Sequence, residues 1–179
     1  IASLIALNNN LPVVERNTLA IASLTHDVRT PAGGDTIKLV DPAVFDEDLH
    51  YPEILEEADW EDLGIRYDVS AESLVNTVQG RGLLGTILDI ADKCAYVSRD
   101  LAVSYLQDGG GSPFQSVPQW FRPFDALIKQ NPEICSIWDM TRITDDGRVY
   151  FTSVNRLSEF LLARVTLFRE LYLHPAARF

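Results

Sequence analysis

The segment from Leu83 to Leu106 constrains the fold more than any other. Leu84, Ile87, Leu88, Ala91, Ala95, Leu101 and Leu106 supply apolar positions along it, largely at the three- and four-residue spacing that lines one face of an α-helix. A helix of that length is long enough to cross a small domain, so other elements must pack along it. Gly109-Gly110-Gly111 ends it. Upstream, Ile1 to Leu7 reads as the tail of an apolar helix stopped by Asn8-Asn9-Asn10 and Pro12. Val13 to Val28 reads as a second, whose run Leu19, Ala20, Ile21, Ala22 and Leu24 is apolar almost all round, as in a central buried helix.

Thr30 to Asp48, with Pro31, Gly33, Gly34 and Pro42, reads as loop or short helix. A short acidic helix is expected over Tyr51 to Trp60, with Pro52 in its first turn. Another is expected over Ala71 to Val78, capped by Ser70 and stopped at Gly80. Gln119 to Lys129 reads as a further helix, and Arg156 to Leu173 as the last, ended by Pro175. Only Ile143-Thr144 and Arg148 to Thr152, around Asp145-Asp146-Gly147, carry a strand pattern. The class is mainly α with one small β-hairpin, and 179 residues fit a single domain over 1–179.

With 26 acidic against 15 basic residues the formal charge is −11, which disfavours general nucleic-acid binding while leaving room for a small phosphate ligand held by a few local cations. No apolar run is long enough to span a bilayer, and no signal peptide is evident, so no membrane partner is expected. Two cysteines, Cys94 and Cys135, sit in helix-like or apolar surroundings and are expected as free buried thiols in a reducing, cytoplasmic setting. The chain starts at Ile1 and its only methionine is Met140, so translation is expected to begin upstream.

The residues that can carry chemistry fall in separate stretches. His26-Asp27 offers one imidazole nitrogen and one carboxylate to a single metal ion. On the long helix Asp92, Tyr96 and Asp100 lie along one face at four-residue spacing, with Lys93 on its border and Asp89 one turn earlier. Such a stripe is either solvated or faces a cleft, and the apolar flanks favour the cleft. In the last helix Arg164, Phe168 and Tyr172 share a face, with Arg169 and His174 nearby. An arginine there either pairs with an acid or meets an anionic ligand. His50 follows Asp46-Glu47-Asp48 and reads as a surface histidine whose proton affinity those acids raise. The P-loop, G-x-G-x-x-G, G-x-S-x-G, H-E-x-x-H and C-x-x-C patterns are all missing.

Taken together, three blocks resemble the HD-domain metal-dependent phosphohydrolases, and within them the deoxynucleoside triphosphate triphosphohydrolases. They are His26-Asp27-Val28-Arg29-Thr30-Pro31-Ala32-Gly33-Gly34-Asp35, then Asp89 through Asp92-Lys93, Tyr96 and Arg99-Asp100, and finally Arg164 through Tyr172-Leu173-His174-Pro175. The resemblance implies an HD-domain helical bundle with a divalent metal ion (Mn, Fe, Co, Ni, Zn or Mg) on His26, Asp27, Asp92 and a first His expected upstream of Ile1. It further implies Lys93 and Arg164 on phosphate oxygens, Tyr96, Asp100 and Tyr172 on the sugar, and His50 as the catalytic residue beside the scissile phosphate. The chain departs from the family pattern at Thr30, Asp35 and Lys38.

The implied reaction is hydrolysis of a deoxynucleoside triphosphate to deoxynucleoside and triphosphate. Alternatives are an HD-fold nucleotidase or cyclic- or signalling-nucleotide phosphodiesterase, and a non-catalytic HD-like regulatory module that binds nucleotide or protein. The family resemblance and the aromatics Trp120, Phe121 and Phe124 leave a homo-oligomer open.

Overall fold

The computed structural model of the protein describes residues 1–31, 35–38, 40–58, 60–107 and 137–168. The chain enters through α1 (Ala2–Asn8) and α2 (Val13–Thr25), crosses two single-turn helices, α3 (Asp35–Lys38) and α4 (Pro42–Phe45), and continues as α5 (Tyr51–Glu57), α6 (Trp60–Tyr67), α7 (Ala71–Val78) and α8 (Gly82–Gln107). After a 3-10 turn at Ile137–Met140, β1 (Thr141–Ile143) and β2 (Val149–Phe151) pair antiparallel with Thr141 opposite Phe151, and α9 (Val154–Leu167) follows. The fold is mainly helical with one small hairpin, as the sequence predicts.

Local chemistry explains the boundaries. The Ser70 hydroxyl accepts from the Ser73 amide at the start of α7, and Ser153 does the same for Arg156 at the start of α9. Gly147 takes φ 77° in the hairpin turn, where a side chain would be strained. The acidic segment after His50 is two helices rather than one. Glu57 ends α5 and Trp60 opens α6, because α5 buries Tyr51, Ile54 and Leu55 within two turns and has no further apolar position to bury.

The helix α8 serves two apolar clusters. Towards its N-terminus Ile87, Leu88 and Ala91 pack with Ile5 and Ala6 of α1, Leu19 and Ala22 of α2, Tyr51 of α5 and Leu74 of α7. Further along, Cys94 and Val97 pack with Ile137, Met140 and with Phe160, Ala163 and Leu167 of α9. Cys94 takes the inward position expected of Ala95, which is exposed.

Two helices are less buried than their composition suggests. In α2 only Thr18, Leu19 and Ala22 are buried, and Leu24 is 81% exposed. The expectation of a helix buried all round is therefore corrected: Leu19, Ala22 and His26 recur at i, i+3 and i+7 on the inner stripe, and Leu24 falls outside it. Likewise Leu161, Leu162 and Val165 of α9 are exposed.

Among the described residues no helix is long and apolar enough to cross a membrane. The expected helix at 119–129, the aromatics Trp120, Phe121 and Phe124, and Cys135, Tyr172 and His174 lie outside the described residues.

Candidate metal centre

The helix α2 carries its inner stripe to His26, the C-cap residue, whose amide donates to the Ala22 carbonyl. Beyond it the chain tightens into i+3 turns, with the Val28 amide on the Thr25 carbonyl and the Thr30 amide on the Asp27 carbonyl. Tyr51, fully buried, locks this end. Thr25 donates to the Ile21 carbonyl at 2.8 Å, so the Tyr51 hydroxyl, 2.5 Å from Thr25 Oγ1, is the donor in that second bond. Arg29 reaches across to Glu53 and Glu57 of α5.

These constraints aim the imidazole. His26 Nδ1 is 3.2 Å from the Ser23 carbonyl, which can only accept, so Nδ1 carries the hydrogen and neutral His26 presents a lone pair at Nε2. That lone pair stands 3.4 Å from Asp27 Oδ2 and 3.7 Å from Asp92 Oδ1. Nε2 is buried and has no hydrogen-bond partner. One lone pair facing two carboxylates is an unfavourable arrangement unless a cation lies among them. A proton on Nε2 meets part of that demand: the Asp92 carboxylate foremost, against opposing burial and with Asp27 adding, raises the His26 pKa.

A divalent ion is the other cation that such a donor set can take. His26, Asp27 and Asp92 each place a ligand atom within 4.8 Å of the others, and one imidazole nitrogen with two carboxylate oxygens suits borderline to hard divalent ions. The position at the C-terminal end of α2 also favours positive charge, by about 0.3–1 kcal/mol for such ends. The donor set and the orphaned Nε2 therefore fit a divalent metal ion.

Beside this centre lies a cavity of about 310 Å³ lined by His26, Asp48, Gln79, Gly85, Asp89 and Asp92, among others. A Cβ at Gly85 would overlap the Gly80 backbone, so glycine there lets the α7–α8 turn fold against α8 and shape the wall. Gln79 donates to the Asp48 carbonyl at 3.0 Å and ties that segment to α7. Burial pushes the Asp48 carboxyl up to about 6, with Lys38 opposing and Glu47 reinforcing.

The remaining predicted residues divide into three groups. Lys93 donates to Asp89, yet partial burial and the Arg164 guanidinium lower its pKa. Arg164 in turn donates to the Tyr96 hydroxyl at 2.7 Å and stacks over Phe168 at 5.3 Å. Lys93, Tyr96 and Arg164 thus gather where α8 meets α9. Asp100 accepts from Arg99 at 2.8 Å.

His50 stands apart from the cavity lining. Its Nδ1 pairs with Glu53 Oε1 at 2.9 Å and its Nε2 donates to the Ala43 carbonyl at 2.9 Å. Glu53 first, then that carbonyl, raise its pKa. Asp48, two residues earlier, is the titratable residue of this segment that lines the cavity. Nothing in the run Asp46-Glu47-Asp48 distinguishes inward from outward acids before the fold is known. Comparison with family models, curated proteins and solved structures returns no match.

Proposed function

We propose that this chain is a metal-dependent phosphohydrolase of the HD type acting on nucleotides, with a deoxynucleoside triphosphate as the favoured substrate. The observation that carries the proposal is the His26 Nε2 lone pair held between two carboxylates at the edge of a cavity. Two cations, Lys93 and Arg164, close enough that one lowers the pKa of the other, add to it in a chain of charge −11. The resemblance of the three sequence blocks to deoxynucleoside triphosphate triphosphohydrolases supplies the substrate class.

His26, Asp27 and Asp92 would hold the divalent ion, which when bound supplies Lewis-acid polarisation of a phosphoryl oxygen and acidifies water. Lys93 and Arg164 offset charge on the phosphates, Arg164 with its guanidinium oriented by Tyr96. Hydrolysis to deoxynucleoside and triphosphate adds water oxygen to the α-phosphorus, breaks its bond to the sugar O5′ and delivers a proton to that oxygen. Asp48, which lines the cavity and whose carboxyl burial pushes up to about 6, is a second group beside His50 that could hold and release a proton near neutral pH.

The test is product analysis with a panel of deoxynucleoside and ribonucleoside triphosphates, nucleoside monophosphates and cyclic nucleotides in the presence of Mn²⁺. Release of intact triphosphate, abolished by Asp92→Ala, is the expected result. Phosphate release from monophosphates would place the chain among nucleotidases, and no turnover of any member would overturn the enzymatic reading.

A further inference from the structure

Glu47 is the one acidic side chain among the buried residues described, at 5% exposed. Its Oε1 forms an ion pair with Lys38 Nζ at 2.6 Å and also lies 3.2 Å from Thr30 Oγ1. The same Thr30 hydroxyl is 3.4 Å from Asp27 Oδ1. A threonine hydroxyl has one hydrogen, so it bridges two carboxylates while donating to only one at a time. Two carboxylates on either side of a single proton repel unless each has a cation of its own. Glu47 has Lys38, and Asp27 has the cation position among His26, Asp27 and Asp92.

Glu47 is buried, while the Lys38 side chain stays 21% exposed, so only the carboxylate is fully removed from water. Burying a charge is costly unless it is paired and hydrogen-bonded. The second oxygen, Glu47 Oε2, is buried without a hydrogen-bond partner, which adds to the cost.

We infer that Thr30, Glu47 and Lys38 form a positioning relay that holds the Asp27 carboxylate in orientation for the metal ion. This rests on the metal-centre reading above and extends it: Thr30 is the contact, and Lys38, by pairing with Glu47, leaves the single Thr30 hydrogen to Asp27. Two of the three residues at which the chain departs from the pattern it resembles, Thr30 and Lys38, belong to the relay. Groups that orient metal ligands in this way change affinity by about 10- to 100-fold when removed.

The test is Mn²⁺ binding by calorimetry on the full chain, without nucleotide, alongside thermal unfolding. Thr30→Val should weaken Mn²⁺ binding about 10- to 100-fold, and Thr30→Ser, which keeps the hydroxyl, should restore it. Lys38→Met, which leaves Glu47 competing for that hydrogen, should weaken Mn²⁺ binding as Thr30→Val does, and Lys38→Met/Glu47→Leu, which removes the competitor, should bring it back toward the parent value. A purely structural role would move stability and leave affinity alone. Unchanged Mn²⁺ affinity in folded Thr30→Val, or equal loss in Thr30→Ser, overturns the relay and leaves the metal centre standing. A wild-type chain that binds no Mn²⁺ removes the metal centre and the relay together.

Discussion

Replacing Leu19 by Ala and, separately, Leu24 by Ala tests how α2 is rotated, and with it where His26 points. Leu19 is fully buried and Leu24 is 81% exposed. Truncating Leu19 removes the equivalent of about three methylenes from the core, or about 2.4 kcal/mol at about 0.8 kcal/mol each. The cavity left behind raises the expected loss to about 2.5–5 kcal/mol. For a domain of this size each kcal/mol moves the midpoint by about 2–4 °C, so Tm should fall by about 5–20 °C. Leu24→Ala should stay within about 0.5 kcal/mol of the parent. Urea unfolding followed by circular dichroism reads both, with an unchanged m-value confirming that stability rather than compactness has moved. Equal losses at the two positions would refute the rotation of α2, and His26 would no longer share the inner stripe.

Other consequences are as direct. Tyr51→Phe deletes the donor to Thr25 Oγ1 and should cost about 0.5–1.5 kcal/mol in the same urea assay; no loss would mean that this hydroxyl does not lock the end of α2. The His50 and Glu53 pair makes stability pH-dependent. The His50 pKa is raised by Glu53, so its contribution is complete below the ordinary histidine value and is lost as pH rises through the folded value. The Glu53 pKa is lowered by His50, so its contribution is present above the ordinary glutamate value and is lost as pH falls through the folded one. NMR titration should show the His50 pKa dropping in Glu53→Gln; an unmoved titration would remove Glu53 as the cause.

Much of the fold was legible because helix period and capping are local. Ser70, Gly80 and the apolar spacing of α8 placed α7 and α8 to within a residue or two, and Asp145-Asp146-Gly147 placed the hairpin. Burial was less legible, since it depends on partners. Leu24 and Ala95 carry the same apolar character as Leu19 and Cys94, and only neighbouring helices decide which face is covered. The site divides in the same way. The spacing of His26, Asp27 and Asp92 was readable through a family resemblance, and these three side chains do converge. Which of His50, Glu47 and Asp48 turns inward depends on the path of the segment between α4 and α5, and no periodic signal there encodes it.

The central claim is that His26, Asp27 and Asp92 hold one divalent ion. Equilibrium dialysis against Mn²⁺ at a fixed pH, with the bound ion counted per chain, tests it most directly. The account predicts about one Mn²⁺ per chain for the wild type, as expected for a single set of three donors, and a large loss in both His26→Ala and Asp92→Ala with helical content retained. Absence of stoichiometric Mn²⁺ in the wild type, or undiminished binding in both variants, would contradict it.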